Sequence, residues 1–169
     1  MLMTKEQQKP DKILVFGTVF PQLSILIIFI LIAHQLPLNQ PMLTAAIYYL
    51  GTAIFLRLAI PRHHRKGMKL IKNENFPEAI KAFGASYEFF TAHHWLDRHR
   101  HLILLSSSAV SYKEMALLNV AYCHGQLGQV KEMKAQYEKV LERFPLSKTA
   151  NEMMARIKKA EKSKKKKKR

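Results

Sequence analysis

A histidine-rich segment is the part of this sequence that most invites a chemical interpretation. Five of its residues could ligate a metal ion: His93, His94, Asp97, His99 and His101. On a helix, His93 and Asp97 would share a face, and imidazole and carboxylate groups both bind zinc. However, the segment lacks the H-E-x-x-H spacing of zinc enzymes, and Arg98 and Arg100 would repel a cation. A polar, cationic helix face is the favoured interpretation, and we predict no metal site.

Other catalytic patterns are weak or missing from the sequence. The run Ser106-Ser107-Ser108 lies near these histidines but has no G-x-S-x-G nucleophile elbow, and such serines usually belong to loops and helix caps. There is no glycine-rich phosphate loop and no dinucleotide fingerprint. A single cysteine, Cys123, excludes an intramolecular disulfide and a multi-cysteine zinc site. We therefore predict that the protein is not an enzyme and holds no cofactor.

The first sixty of the 169 residues are strongly apolar. From Ile13 to Leu56 there is no Asp, Glu, Lys or Arg, although the whole chain has a formal net charge of +16. Polar residues and two prolines at 34–41 divide this stretch into residues 13–33 and 42–60. As a helix, each part would be long enough to cross a hydrocarbon core of about 30 Å. The sequence therefore predicts a hairpin of two transmembrane helices.

Cations on both sides of the apolar stretch predict its orientation. Three lysines precede the first span, and Arg62, Arg65 and Lys66 follow the second, whereas the loop between the spans has no Lys or Arg. The positive-inside rule then places both termini in the cytoplasm, with residues 1–12 forming a short cytoplasmic N-terminus. We predict a multi-pass membrane protein of the bacterial inner membrane, or of the endoplasmic reticulum membrane in a eukaryote.

The chain after residue 61 contains an internal repeat at an offset of 54 residues. Small, large and aromatic positions recur in the same order: Gly67 with Ala121, Phe76 with Val130, Ala79 with Met133, Phe83 with Tyr137, and Phe90 with Phe144. Ser111 and Glu114 form a capping box before an apolar run, Gly128 marks a turn, and Pro77 fits the first turn of a helix. These patterns predict amphipathic helices.

The repeat resembles the tetratricopeptide repeat, a helix–turn–helix unit of 34 residues. Leu117, Asn119, Val120 and Ala121 fall where that family has Trp, Asn, Leu and Gly, and Gly128, Tyr137 and Pro145 fall at its turn, aromatic and closing proline positions. Met133 is larger than the usual Ala. The chain is also similar to small uncharacterised bacterial membrane proteins that combine a hairpin with such repeats. The resemblance implies an all-α fold, with a cytoplasmic helical solenoid over residues 61–157 and an insertion at about 91–110.

The resemblance also implies a binding groove, which family members line with the first helix of each unit. The positions in this chain are Arg65, Met68 and Lys72, beside His64, in the first unit and Met115, Leu118, Asn119, Tyr122 and Gln126 in the second. Such a groove would bind a peptide or a helix of a protein partner. The predicted function is a membrane-anchored interaction module that acts as a scaffold or adaptor.

The C-terminal residues are strongly basic. Residues 156–169 contain ten cations and one anion, and we predict a disordered polybasic tail over 158–169. Anionic lipid is its first expected partner and RNA its second, through Lys164, Lys165, Lys166, Lys167, Lys168 and Arg169. Two alternative functions stay open. The hairpin could join a membrane complex as an accessory subunit, through small residues such as Gly17, Ala45 and Gly51, or the tail could tether RNA or ribosomes.

Overall fold

The computed structural model describes the backbone of residues 12–37, 39–103 and 110–167. Over these ranges all regular secondary structure is α-helical, as the sequence predicts. The helices in chain order are α1 (Lys12–His34), α2 (Pro41–Ala59), α3 (Arg62–Lys72), α4 (Phe76–Ala92), α5 (His94–Arg98), α6 (Arg100–Ile103), α7 (Tyr112–Gln126), α8 (Val130–Arg143) and α9 (Lys148–Lys167). The predicted cytoplasmic N-terminus, up to residue 11, and the serines at 106–108 lie outside the described residues.

The chain divides into two compact units. The first comprises Met1–Arg62 with His93–Ser111, and the second comprises His63–Ala92 with Tyr112–Arg169. In the first unit, α1 and α2 pack against each other, and their bounds lie within one residue of the predicted helices. Pro41 lies in the first turn of α2, where its fixed φ suits a helix start.

Small and aromatic side chains contribute to the contact between α1 and α2 in its described part. Ala33, Ala45 and Ala53 are buried there, and the ring of Phe29 meets Tyr49 edge to face, with 6.1 Å between the ring centroids. Of the small residues named for close helix approach, Ala45 is buried, whereas Gly51 is exposed with open space around it. Ala53, two residues further along the chain, is buried instead because it lies two turns after Ala45 on the same face.

Large apolar side chains of the hairpin point outward. In α2 alone, Ile47, Tyr48, Leu50 and Phe55 are all more than half exposed. Among the described residues, α2 is the one helix that is long and apolar enough to cross a membrane by length and composition. The searched part of α1, Leu23–His34, is apolar but shorter. One candidate span is therefore present, and the second span stays a prediction.

The predicted insertion belongs to the hairpin unit. Residues 93–111 cluster with the N-terminal helices, and α6 packs against α1. The sequence instead places the insertion within the domain at 61–157. The physical reason for the difference is that α6 finds its packing partner in the apolar helix α1. Next to it, Leu96 and Asp97 in α5 are buried, while Trp95 is half exposed.

The second unit is a series of helices that pack mainly on their neighbours. Helix α4 packs on α7, α7 on α8, and α8 on α9. Its core cluster is formed by side chains of α3, α4 and α7, namely Ile71, Ala79, Phe83, Ala116, Val120 and Cys123. Helix α4 begins where the Oδ1 of Asn75 accepts a hydrogen bond from the backbone N–H of Glu78, at 3.3 Å, with Pro77 in the first turn.

The turns that follow α3 and α7 have the same backbone hydrogen bonds at an offset of 54 residues. The donor–acceptor pairs are Glu74 to Ile71 and Asn75 to Leu70 in the first turn, and Gly128 to Gly125 and Gln129 to His124 in the second. In both turns this pattern is the Schellman motif, which requires a left-handed residue after the helix. Glu74 has φ 55° and Gly128 has φ 71°. The repeat found in the sequence is thus also a repeat of backbone geometry.

Helix α9 is longer than the sequence suggests. Its first turn is capped by Ser147, whose Oγ accepts a hydrogen bond from the N–H of Ala150 at 3.4 Å. The helix continues to Lys167, over most of the stretch 158–169 for which the sequence predicts disorder. Lysine is a good helix former, and positive charge is favourable near a helix C-terminus. The packed first half, with Met154 and Ile157 buried, supplies the nucleus from which the basic half extends.

Candidate interaction surface

Helix α7 presents four of the five predicted groove residues along one stripe. Met115, Asn119 and Tyr122 are partly exposed and Gln126 is exposed, at spacings of three and four residues that place them on one helix face. Leu118 differs, because only 4% of its surface is exposed. Its side chain packs in the interior, apart from the exposed stripe of the other four residues, and the groove stays a prediction.

Helix α3 presents the other predicted groove residues in two environments. Arg65 and Lys72 are exposed, whereas Met68 is partly buried and packs against the core cluster. Tyr122 of α7 packs against the same cluster, and its ring meets Phe76 at 6.5 Å between centroids. The structure therefore brings Met68 and Tyr122 to one cluster, from two different helices, and leaves the two cations in solvent.

Two glycines lie opposite large side chains of a neighbouring helix. A Cβ on Gly67 would lie 2.7 Å from two ring atoms of Phe83, which is fully buried. A Cβ on Gly125 would lie 2.9 Å from the Sδ of Met133. The large Met133, a departure from the repeat pattern, thus fits because glycine faces it. In the first repeat the sizes are reversed, because Ile71 corresponds to Gly125 and Ala79 corresponds to Met133. Both Ile71 and Ala79 belong to the core cluster.

An aromatic cluster surrounds His64. Its ring packs edge to face on Phe83 and on Tyr112, at 5.3 and 5.4 Å between centroids, and Tyr112 stacks on Phe90 at 4.6 Å. Burial lowers the pKa of His64 to about 4, and its Nδ1 has no hydrogen-bond partner among the residues that the structure describes. The imidazole is therefore neutral at physiological pH and acts as a packing group. The sequence places His64 beside the groove residues and does not reveal this aromatic cluster.

Titratable groups in this unit show no arrangement for nucleophilic chemistry among the described residues. Cys123 is buried in the core, and burial raises the pKa of its thiol to about 11, so the reactive thiolate is scarce at neutral pH. Burial also raises the pKa of Tyr122 and of Tyr137. The pKa of Glu78 is lowered, chiefly by the hydrogen bond from Lys81 at 2.7 Å. These shifts follow from packing and one surface ion pair.

The basic C-terminal residues are described by their backbone only, up to Lys167. Helix α9 includes the backbone of Lys164–Lys167, but the side chains of these lysines, like Lys168 and Arg169, lie outside the described residues. Within the described part of the chain, no group of three or more His, Cys, Asp or Glu residues is placed to hold a metal ion.

Comparisons with known proteins add no family. No protein-family model, curated protein or solved structure matches the chain. The resemblance to tetratricopeptide repeats therefore rests on the residue pattern alone.

Proposed function

We propose that this protein is a membrane-anchored interaction module, in which a helical hairpin holds a repeat-containing helical unit at the cytoplasmic face. The observation that carries this proposal is the outward apolar surface of α2, a helix of 19 residues with most of its large side chains exposed. A surface of this size is stable in lipid and unstable in water. Helix α1, whose residues are equally apolar, would be the second span.

The helical unit supplies the proposed binding surface. The proposal of a tetratricopeptide-like solenoid is supported by successive helices that pack on their neighbours and by the duplicated turn. Along α7, the partly exposed Met115, Asn119, Tyr122 and Gln126 offer an apolar and amide-lined strip. A helix or an extended peptide would pack against Met115 and Tyr122 and form hydrogen bonds with the two amides. Anchoring would raise the local concentration of this surface near membrane partners.

The membrane proposal is tested by extraction and labelling of the full-length chain. Alkaline carbonate should leave the protein in the membrane fraction. Asn39→Cys, in the connection between α1 and α2, should react with a membrane-impermeant maleimide added to the outside of intact cells or spheroplasts. Asn73→Cys, after α3, should react only once the membrane is permeabilised. Release by carbonate would refute anchoring, and equal labelling of both cysteines would refute the two-span topology.

A second candidate function is an accessory subunit that binds a membrane complex through its hairpin. It is favoured by the exposed aromatic side chains Tyr48 and Phe55 of α2, which could pack against another membrane helix as well as against lipid. A photo-crosslinking amino acid at Gln126 or at Tyr48, in the full-length protein, separates the two functions. Adducts from Gln126 alone support the groove, and adducts from Tyr48 alone support the subunit.

A further inference from the structure

Helix α3 carries a one-sided stripe of positive charge. We define the α3 cation stripe as Arg62, Arg65, Lys66, Lys69 and Lys72, all of which are exposed. At about 100° per residue these positions span roughly a third of the helix circumference. Buried Gly67 and Ile71 lie on the opposite side, and the helix contains no acidic residue. The apolar face of α3 is therefore occupied by the core, while its cationic face is left to solvent.

Two lysines of the stripe, Lys66 and Lys69, are not neutralised by neighbouring carboxylates. Within the described residues, neither Lys66 nor Lys69 forms a salt bridge. Lys66 contributes to lowering the pKa of Glu78, but that carboxylate is already bound by Lys81 at 2.7 Å. Helix α8 provides a contrast, since its lysines alternate with glutamates. Helix α3 thus presents to an anion a face that carries positively charged side chains and no acidic residue of its own.

The covalent position of α3 indicates which anion is within reach. Helix α2 ends at Ala59 and α3 begins at Arg62. Three residues extend the chain by at most about 10 Å. This distance is about one Debye length at 0.1 M salt. Salt therefore does not fully screen an exposed cation at the start of α3 from a charged membrane surface at the end of α2.

We propose that the α3 cation stripe binds the anionic phospholipid headgroups of the leaflet in which α2 ends. The inference rests on the membrane anchoring proposed above. Each cation that lies close to an anionic surface strengthens the binding of the helix to that surface by about five-fold. Helix α3 is then both a core helix of the repeat unit and the lipid contact of that unit. Arg65 and Lys72 lie at the edge of the stripe beside Met68 and also border the groove. Arg62 and Lys69 lie at the centre of the stripe and Lys66 lies at its other edge, and these three cations are assigned to lipid.

A fluorophore on the stripe side of α3 tests this contact in the full-length protein. Asn73→Cys places the dye one turn after Lys69 without removing a charge, and buried Cys123 stays unlabelled. The labelled protein is reconstituted in vesicles of phosphatidylcholine, with or without phosphatidylglycerol, that contain a headgroup-attached quencher. Phosphatidylglycerol should increase quenching, and high salt should reverse the increase. The control dye is at Ala135→Cys, on the exposed surface of α8, and should not respond.

The matched charge variant is Lys66→Gln/Lys69→Gln, which leaves the groove cations unchanged. It should lower the ratio of lipid-bound to free α3 on the order of 25-fold, because two cations are removed. An unchanged rate of thiol labelling at Cys123 would show that the unit is still folded. Neutralising Lys164 to Lys168 instead should leave the response at residue 73 in place.

The outcomes distinguish this inference from the anchoring on which it rests. If carbonate extracts the protein from the vesicles, both are wrong. If the protein resists extraction but quenching at residue 73 is the same in both lipids, or the Ala135→Cys dye responds equally, the lipid contact of α3 is wrong and anchoring stands. If a homopolymeric RNA changes the residue-73 signal and phosphatidylglycerol does not, the stripe binds nucleic acid and the inference is overturned.

Discussion

The approach of α3 to α4 depends on the absence of a side chain at Gly67. A Cβ there would lie 2.7 Å from the ring of Phe83, a distance that real Cβ atoms do not show, and the ring is fully buried. Overpacking of this kind costs about 1–3 kcal/mol. The change to alanine also favours a helix interior by about 1 kcal/mol. We therefore expect Gly67→Ala to reduce the free energy of unfolding of the helical unit by about 0–2 kcal/mol.

Gly84→Ala is the matched control for this prediction. Gly84 lies inside α4, and a Cβ there would meet nothing within 4 Å. The same gain in helix propensity should then be obtained without the packing cost, so that Gly84→Ala stabilises the unit by about 0.5–1 kcal/mol. The difference between the two variants isolates the packing cost of about 1–3 kcal/mol.

The native cysteine provides the assay. Cys123 belongs to the same core cluster as Phe83, so its labelling by a thiol reagent requires the helical unit to open. In mild detergent, Cys123 should be labelled about five- to 150-fold faster in Gly67→Ala than in Gly84→Ala. This factor is the packing cost converted to a ratio of the open to the closed form of the unit. If Gly67→Ala labels no faster than Gly84→Ala, the close contact between α3 and α4 is wrong.

Three further predictions concern the repeat and its aromatic cluster. Glu74→Gly should stabilise the helical unit, and Gly128→Ala should destabilise it, each by up to about 1 kcal/mol, because both positions have left-handed backbone. Gly125→Ala should change stability by less than about 1 kcal/mol, because the half-buried, flexible Met133 can move away from a Cβ. His64 has a folded pKa of about 4, below its ordinary value of 6.5, so the unfolded chain binds more protons in this range. The free energy of unfolding should then be nearly constant above about pH 7 and should fall by about 2 kcal/mol between pH 7 and pH 5.

The rate of Cys123 labelling checks the first two of these predictions, and thermal unfolding followed by circular dichroism checks the third. Equal signs for Glu74→Gly and Gly128→Ala would contradict the duplicated turn. A cost for Gly125→Ala as large as that for Gly67→Ala would show that Met133 is held rigidly. For the pH dependence, His64→Phe should remove the effect and His94→Gln, at an exposed position, should not. An unchanged slope in His64→Phe would assign the effect to other groups.

The sequence alone determined the features that depend on neighbouring residues. The uncharged stretch and its prolines located α1 and α2 to within one residue, because helix bounds there follow from apolar length and from Pro41. Gly128 located the second turn and Pro77 the start of α4, because turn and capping residues act over a few positions, whereas the left-handed Glu74 of the first turn was not predicted. The matching order of large and small residues in the two repeats also follows from the sequence, because the size of a side chain is given by its residue type.

Tertiary packing decided the rest, because burial depends on which helices meet. The sequence could not show that α6 packs on α1, that Leu118 is buried, or that His64 lies among Phe83, Phe90 and Tyr112. Nor could it show that α9 continues to Lys167, since the stability of its basic half depends on the packing of its first half. Local chemistry sets where a helix begins and ends, whereas the environment of a side chain is set by residues distant in sequence that fill the space around it.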